Sequence, residues 1–103
     1  MTGTEYREFR AGPFGAIGAK VTADASGISE GLGPLRRTIH WSEVRDVRVA
    51  RPGGLLPGVT VVVSRLDGSE TALMSLVLDI LPSSSADHQR LHAIAAELTA
   101  ARP

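Results

Sequence analysis

The amino-acid sequence predicts a mainly β fold: a small antiparallel β-barrel or sandwich of up to seven short strands with one C-terminal α-helix. Three observations carry this expectation. Apolar and polar residues alternate along residues 35–41 and again along 46–49, the period of a half-buried strand. The run Val59-Thr60-Val61-Val62-Val63 is dense in β-branched residues, which suit a pleated surface. Helical spacing occurs only near the end, where Leu91, Ile94, Leu98 and Ala101 make a single stripe. Without helices between the strands, neighbouring strands must run antiparallel.

A chain of 103 residues is one domain, spanning 1–103, in which residues 1–10 form either an edge strand or a flexible arm. Aromatic residues are few (Tyr6, Phe9, Phe14 and Trp41), so the core must be aliphatic. Eleven basic residues balance eleven acidic ones. A neutral chain has no long-range field to draw it onto a polyphosphate, and nucleic acid is not an expected partner. The absence of cysteine removes disulfides, thiolate metal sites and thiol nucleophiles, and no cofactor is expected. The first residues show no basic segment followed by an apolar one, and no apolar run approaches the length of a membrane span. The expectation is a cytoplasmic protein.

Taken in order, residues 5–10 predict an edge strand, broken by Ala11-Gly12-Pro13. Residues 14–23 predict a second strand whose glycines permit sharp bending. Asp24-Ala25-Ser26-Gly27 is a turn, Ile28-Ser29-Glu30 a short strand, and Gly31-Leu32-Gly33-Pro34 another turn. Along residues 35–41, Leu35, Arg37, Ile39 and Trp41 share the inward parity, with Arg37 the misfit. A corner at Trp41-Ser42-Glu43 leads to a further strand, where Val44 lies on the wrong parity and requires a bulge. Residues 50–58, with two prolines and three glycines, predict a loop. Residues 59–66 and 70–80 predict a hairpin about Asp67-Gly68, the signature of a type I′ turn. Ser84 with Asp87 resembles a capping box opening the final helix.

Candidate chemistry is sparse. His88 and His92 stand four apart on the helix, a metal-ligating spacing, but Gln89 occupies the place of a general-base Glu and no third ligand is evident. A solvated helix face accounts for them better. His40 with Ser42 and Glu43 suggests a nucleophilic triad, yet neighbours on a strand point to opposite faces. No catalytic residue and no metal ligand is assigned. The glycines of residues 12–20 reach the density of a phosphate loop but lack its Gly-Lys-Ser/Thr ending. Arg36 and Arg37, with Arg45, Arg48 and Arg51 nearby, make a modest basic cluster divided between strand faces. Leu55 and Leu56 stand at the centre of a Gly/Pro-rich loop. Exposed, they make an apolar knob suited to a protein partner, a like subunit or a membrane interface; folded back, they are core.

Several of these features together resemble the bacterial pleckstrin-homology-like (PH-like) domains. The features are the basic pair Arg36-Arg37, the corner Ile39-His40-Trp41-Ser42-Glu43-Val44, the turn Leu66-Asp67-Gly68, and the helix over residues 87–101. The segment Val21-Thr22-Ala23-Asp24-Ala25-Ser26-Gly27-Ile28 is similar to that family's opening hairpin. The resemblance covers about residues 14–101 and implies two stacked antiparallel sheets with a helix closing one end. It also implies a binding or assembly module rather than an enzyme. Relatives that bind phosphoinositides place several cations around the first hairpin, where this chain has Lys20 alone, and its helix lacks their Trp. The expected function is non-catalytic protein–protein contact or self-association through Leu55 and Leu56. The alternative is an anionic lipid or small anion held by Lys20, Arg36 and Arg37, with peripheral membrane contact; a small-molecule enzyme is the least favoured reading.

Overall fold

The computed structural model describes residues 5–103 apart from Gly33. It is mainly β, with two antiparallel sheets and one long C-terminal helix. The first sheet is a meander of β1 (Arg7–Phe9), β2 (Lys20–Ala23), β3 (Gly27–Leu32) and β4 (Leu35–His40), in the spatial order β1-β2-β3-β4. A short helix, α1 (Gly12–Ala16), separates β1 from β2. After a 3₁₀ turn at Trp41–Glu43 the chain enters the second sheet, β5 (Val44–Ala50), β6 (Thr60–Arg65) and β7 (Glu70–Ala72), in the order β5-β6-β7. A second 3₁₀ turn, Met74–Leu76, leads to α2 (Ser85–Ala101). The two sheets do not close into a barrel, so of the two expected architectures the sandwich is the one formed.

The corner between the sheets is held by Trp41, whose indole N–H donates to Asp24 O at 2.6 Å. Asp24 also accepts through its carboxylate from the backbone N–H of Ser26 and Gly27, at 2.8 and 3.3 Å, forming the turn between β2 and β3. One residue therefore ties the first hairpin to the point where the chain changes sheets. The expected bulge lies at Arg45: Val44 pairs with Arg65 and Asp46 with Ser64, so Val44 and Val47 both reach the interior side.

The core is aliphatic, as the aromatic count predicts, with Val21, Ile28, Ile39, Val61, Val63, Leu76 and Leu98 among its members. α2 contributes Leu91, Ile94, Leu98 and Ala101, the expected stripe, and adds Ala95. The helix lies against β5 and β6. Its flanks are tied to both neighbouring edges. The Arg90 guanidinium donates to Arg10 O at 2.7 Å and Glu97 pairs with Arg7 at 3.3 Å on the β1 side, while Arg102 donates to Arg45 O on β5. The β1/β5 side of the sandwich is thus covered by the helix.

Four sequence expectations fail locally. Residues 14–23 are not one strand: Gly12–Ala16 is helical and only Lys20–Ala23 joins the sheet. The glycines there do not bend a strand. Gly12 sits at φ +67° with its α-carbon so close to Val77 O that an added Cβ would approach to 2.2 Å, a place only glycine fits. The return strand of residues 70–80 ends at Ala72, because the 3₁₀ turn takes over and only an isolated bridge, Val59 with Leu78, resumes the pairing. The hairpin at Asp67-Gly68 is not a type I′ turn. Gly68 alone has positive φ (+89°), Gly68 N–H donates to Arg65 O, and Arg65 N–H donates to Ser69 O, which makes a three-residue loop with a bulged glycine. Leu35, expected on the inner face, is 77% exposed at the first position of β4. Of residues 1–10, Arg7–Phe9 form an edge strand on β2; residues 1–4 lie outside the described residues, as does Gly33 in the turn expected at 31–34.

Candidate functional site

The side of the sandwich opposite α2 is bordered by two strand edges, β4 and β7, each paired on one side only among the described residues. Arg37 spans the gap between them. Its Nη2 donates to Ala72 O at 2.8 Å and to Glu30 Oε2 at 2.7 Å, and its Nε reaches the same carboxylate oxygen at 3.3 Å. The local reason is register: Glu30 and Arg37 are directly opposed across the β3–β4 hairpin, on the same face as Ile28 and Ile39. Glu30 is buried, 6% exposed, and its other oxygen accepts from the Ser75 N–H and hydroxyl at 3.4 and 3.3 Å. Every oxygen of this buried carboxylate is therefore engaged, as burial of charge requires. The same bonds tie the Met74–Leu76 turn, which follows the end of β7, to β3.

Above this strut lies a groove of about 410 Å³, lined by Arg37, Pro52, Leu56, Thr71, Ala72 and Met74. Its volume falls within the range of ligand-holding clefts. The loop of residues 51–58 forms one wall. Pro52 and Gly58 are buried and anchor the loop; Leu55 is fully exposed and Leu56 54% exposed. Of the two readings left open for this pair, exposure is the observed one. A shallower hollow of about 400 Å³, bounded by Glu30, Gly31, Leu35, Arg36 and Arg37, continues along the β4 edge.

The expected basic residues divide between the faces. Lys20 and Arg36 both stand opposite Gly31 on the outer face of the first sheet, while Arg37 is on the inner side. Lys20 is bound to Glu8 at 3.3 Å, and that hydrogen bond holds the Glu8 carboxyl below its ordinary pKa. Arg36 Nη2 donates to Thr22 Oγ1 at 3.1 Å. Arg48 is fastened to Ser64 and Glu70, and the Glu70 carboxylate raises its already high pKa. Arg51 makes no ion pair among the described residues. Structure thus joins Arg37 with Leu56 in one groove, places Arg36 in the adjoining hollow, and leaves Leu55 and Lys20 outside both.

The residues with catalytic or metal-binding patterns do not assemble. Glu43 accepts from the backbone N–H of His40 at 3.3 Å, not from its imidazole, and pairs with Arg65 at 3.6 Å. His88 Nε2 lies 3.0 Å from Asp79 Oδ1. Among the described residues no group of three metal-ligating side chains is brought together. Sequence reasoning missed Glu30, Met74 and Thr71. Glu30 was discoverable: once Leu32 faces Leu35 across the turn, Arg37 must face Glu30. Met74 and Thr71 carried no signal, because their position depends on where β7 ends.

Compared with known proteins, the chain matches no family model, no curated protein and no solved structure. Among the described residues no helix is long and apolar enough to cross a membrane.

Proposed function

We propose that this chain is a non-catalytic PH-like module whose role is protein contact, with a partner or with a second copy, centred on Leu55 and Leu56. The observation that carries the reading is Leu55, fully exposed at the tip of a loop whose two ends are buried. An apolar side chain held out on an anchored support suits a contact, since little ordering is needed on binding. The order of the strands, four then three, followed by a closing helix, supports the PH-like part of the reading.

The anionic-lipid alternative has less support. Lys20 and Arg36 already have polar partners, the three cations lie on different faces, and the chain has no net charge to steer it. Sedimentation with anionic vesicles at low salt tests that alternative directly, because such attraction is strongest there. The protein-contact reading is tested by light scattering and by affinity capture with Leu55→Ser. Loss of a dimer, or of a captured protein, on this substitution is the expected result. A strict monomer whose captured proteins are unchanged by Leu55→Ser overturns it.

A further inference from the structure

We infer that the groove between the β4 and β7 edges takes an extended peptide segment, with a carboxylate side chain set on Arg37 and an apolar neighbour set against Leu56 and Met74. This deepens the proposed binding role and rests on it. Three features of the groove converge on that ligand. First, Arg37 is immobilised by Glu30 and Ala72 through Nε and Nη2, whereas Nη1 makes no hydrogen bond among the described residues. A guanidinium already fixed in place loses little freedom on accepting a carboxylate, and charged hydrogen bonds are the strong ones. Second, the walls beside it are apolar: Pro52, Leu56, Ala72 and Met74. Third, both bordering strands are sheet edges, and an edge offers backbone N–H and C=O groups to an added strand.

Charge decides the sign of the ligand. The carboxylates near the groove are already matched, Glu30 by Arg37 and Glu70 by Arg48. Arg36, which lines the adjoining hollow, and Arg51, next to Pro52 in the chain, have no acidic partner among the described residues. The groove therefore favours a negative segment. The same charges argue against a second copy of β4 as the occupant. A second β4 paired antiparallel about its centre would set Arg37 opposite Thr38 and Arg36 opposite Ile39, bringing two more arginines and no carboxylate to the groove.

The test uses fluorescein-labelled peptides of about seven residues, alternating valine and threonine around a central glutamate, glutamine or lysine, read by fluorescence anisotropy. One charge-assisted contact predicts the glutamate peptide to bind about tenfold more tightly than the glutamine peptide, and the lysine peptide to be weaker still. Leu56→Glu, at a half-exposed position, is expected to weaken the glutamate peptide by about tenfold. Because Arg37 also neutralises Glu30, its removal is tested as the double variant Glu30→Gln with Arg37→Gln, which leaves no buried charge. That variant is expected to bind the glutamate and glutamine peptides alike. Amide hydrogen exchange is expected to slow at residues 35–38 and 70–72 when the glutamate peptide is present.

Equal binding of the glutamate and lysine peptides, no saturable binding of the glutamate peptide, or indifference to Leu56→Glu overturns the inference. So does saturation of the groove by decanoate when the peptides fail, an outcome that assigns it to a small amphiphile. Leu55 stands outside the groove, so Leu55→Ser is expected to leave peptide affinity unchanged. Failure of the peptide arms with the Leu55 effect intact rejects this inference alone; loss of the Leu55 effect with peptide binding intact rejects the contact at the loop tip alone.

Discussion

Arg37 does two jobs with one guanidinium. Two of its nitrogens neutralise a buried carboxylate and strap one sheet to the other; the third makes no hydrogen bond among the described residues. Truncating it leaves Glu30 buried without its cation. Breaking a fully buried pair costs about 3–5 kcal/mol, but the Arg37 side chain is half exposed and water takes over part of its role. Arg37→Ala is therefore expected to lower unfolding stability by about 1–3 kcal/mol in urea titrations, and Glu30→Gln added to it is expected to recover part of that loss. No recovery in the double variant would mean that Glu30 is not the group left unmatched. Gly58 belongs to the same scale. It sits at φ +91°, and a Cβ there would come within 2.4 Å of Leu78 O. Gly58→Ala is expected to destabilise by more than about 1 kcal/mol, and to loosen the support of Leu55 and Leu56 with it. The Glu30–Arg37 pairing was legible from hairpin symmetry, whereas the contact at Gly58 was not, because nothing local announces a carbonyl arriving from twenty residues further along.

Among the elements, α2 was the most legible. Its cap is the expected one: the Ser84 hydroxyl accepts from the Asp87 N–H at 3.1 Å and the Asp87 carboxylate accepts from the Ser84 N–H at 2.9 Å. Ser84→Ala is expected to cost about 1 kcal/mol, and Leu98→Ala, in the fully buried stripe, about 2–5 kcal/mol, both measurable by thermal or urea unfolding. The backbone N–H of Ser84 holds the Asp87 carboxyl below its ordinary pKa. A carboxyl more acidic when folded stabilises the fold above its unfolded pKa of about 4, and that contribution disappears as pH falls through the lower folded value. Glu8, through Lys20, and Asp67, through Ser69, are shifted the same way. Asp87→Ala is therefore expected to lower Tm near neutral pH and to converge with the unaltered protein toward pH 2. A constant Tm difference across that range would contradict the assignment. The strands were less legible than the helix. Residues 70–80 alternate like a strand, yet Leu73, Leu76, Val77 and Leu78 are all buried across a 3₁₀ turn. Period two identifies a tendency, and the turn that replaces the strand bonds Ser75 to the carboxylate of Glu30 on another strand.

At the scale of the molecule, the sandwich has two unlike sides. α2 covers the side at β1 and β5, while the side at β4 and β7 is bridged by the Arg37 strut and the Ser75–Glu30 bonds, with the loop of residues 51–58 beside it. An exposed leucine that serves contact and not folding should be silent in stability. Leu55→Ser is expected to change unfolding free energy by less than about 0.5 kcal/mol while altering association. A larger loss of stability would return Leu55 to a folding role. The sequence alone determined the mainly β class, the corner at Trp41, the bulge near Val44 and the capped final helix. These depend on periodicity, β-branching and capping between near neighbours, which are written along the chain. Only the tertiary structure decided that the sheets stay open as a sandwich, that β7 is short, that Leu55 faces water, and that Arg37 and Leu56 meet in one groove. Each depends on how separate strands lie in space, and alternation along a single strand cannot encode which distant edge will stand across from it.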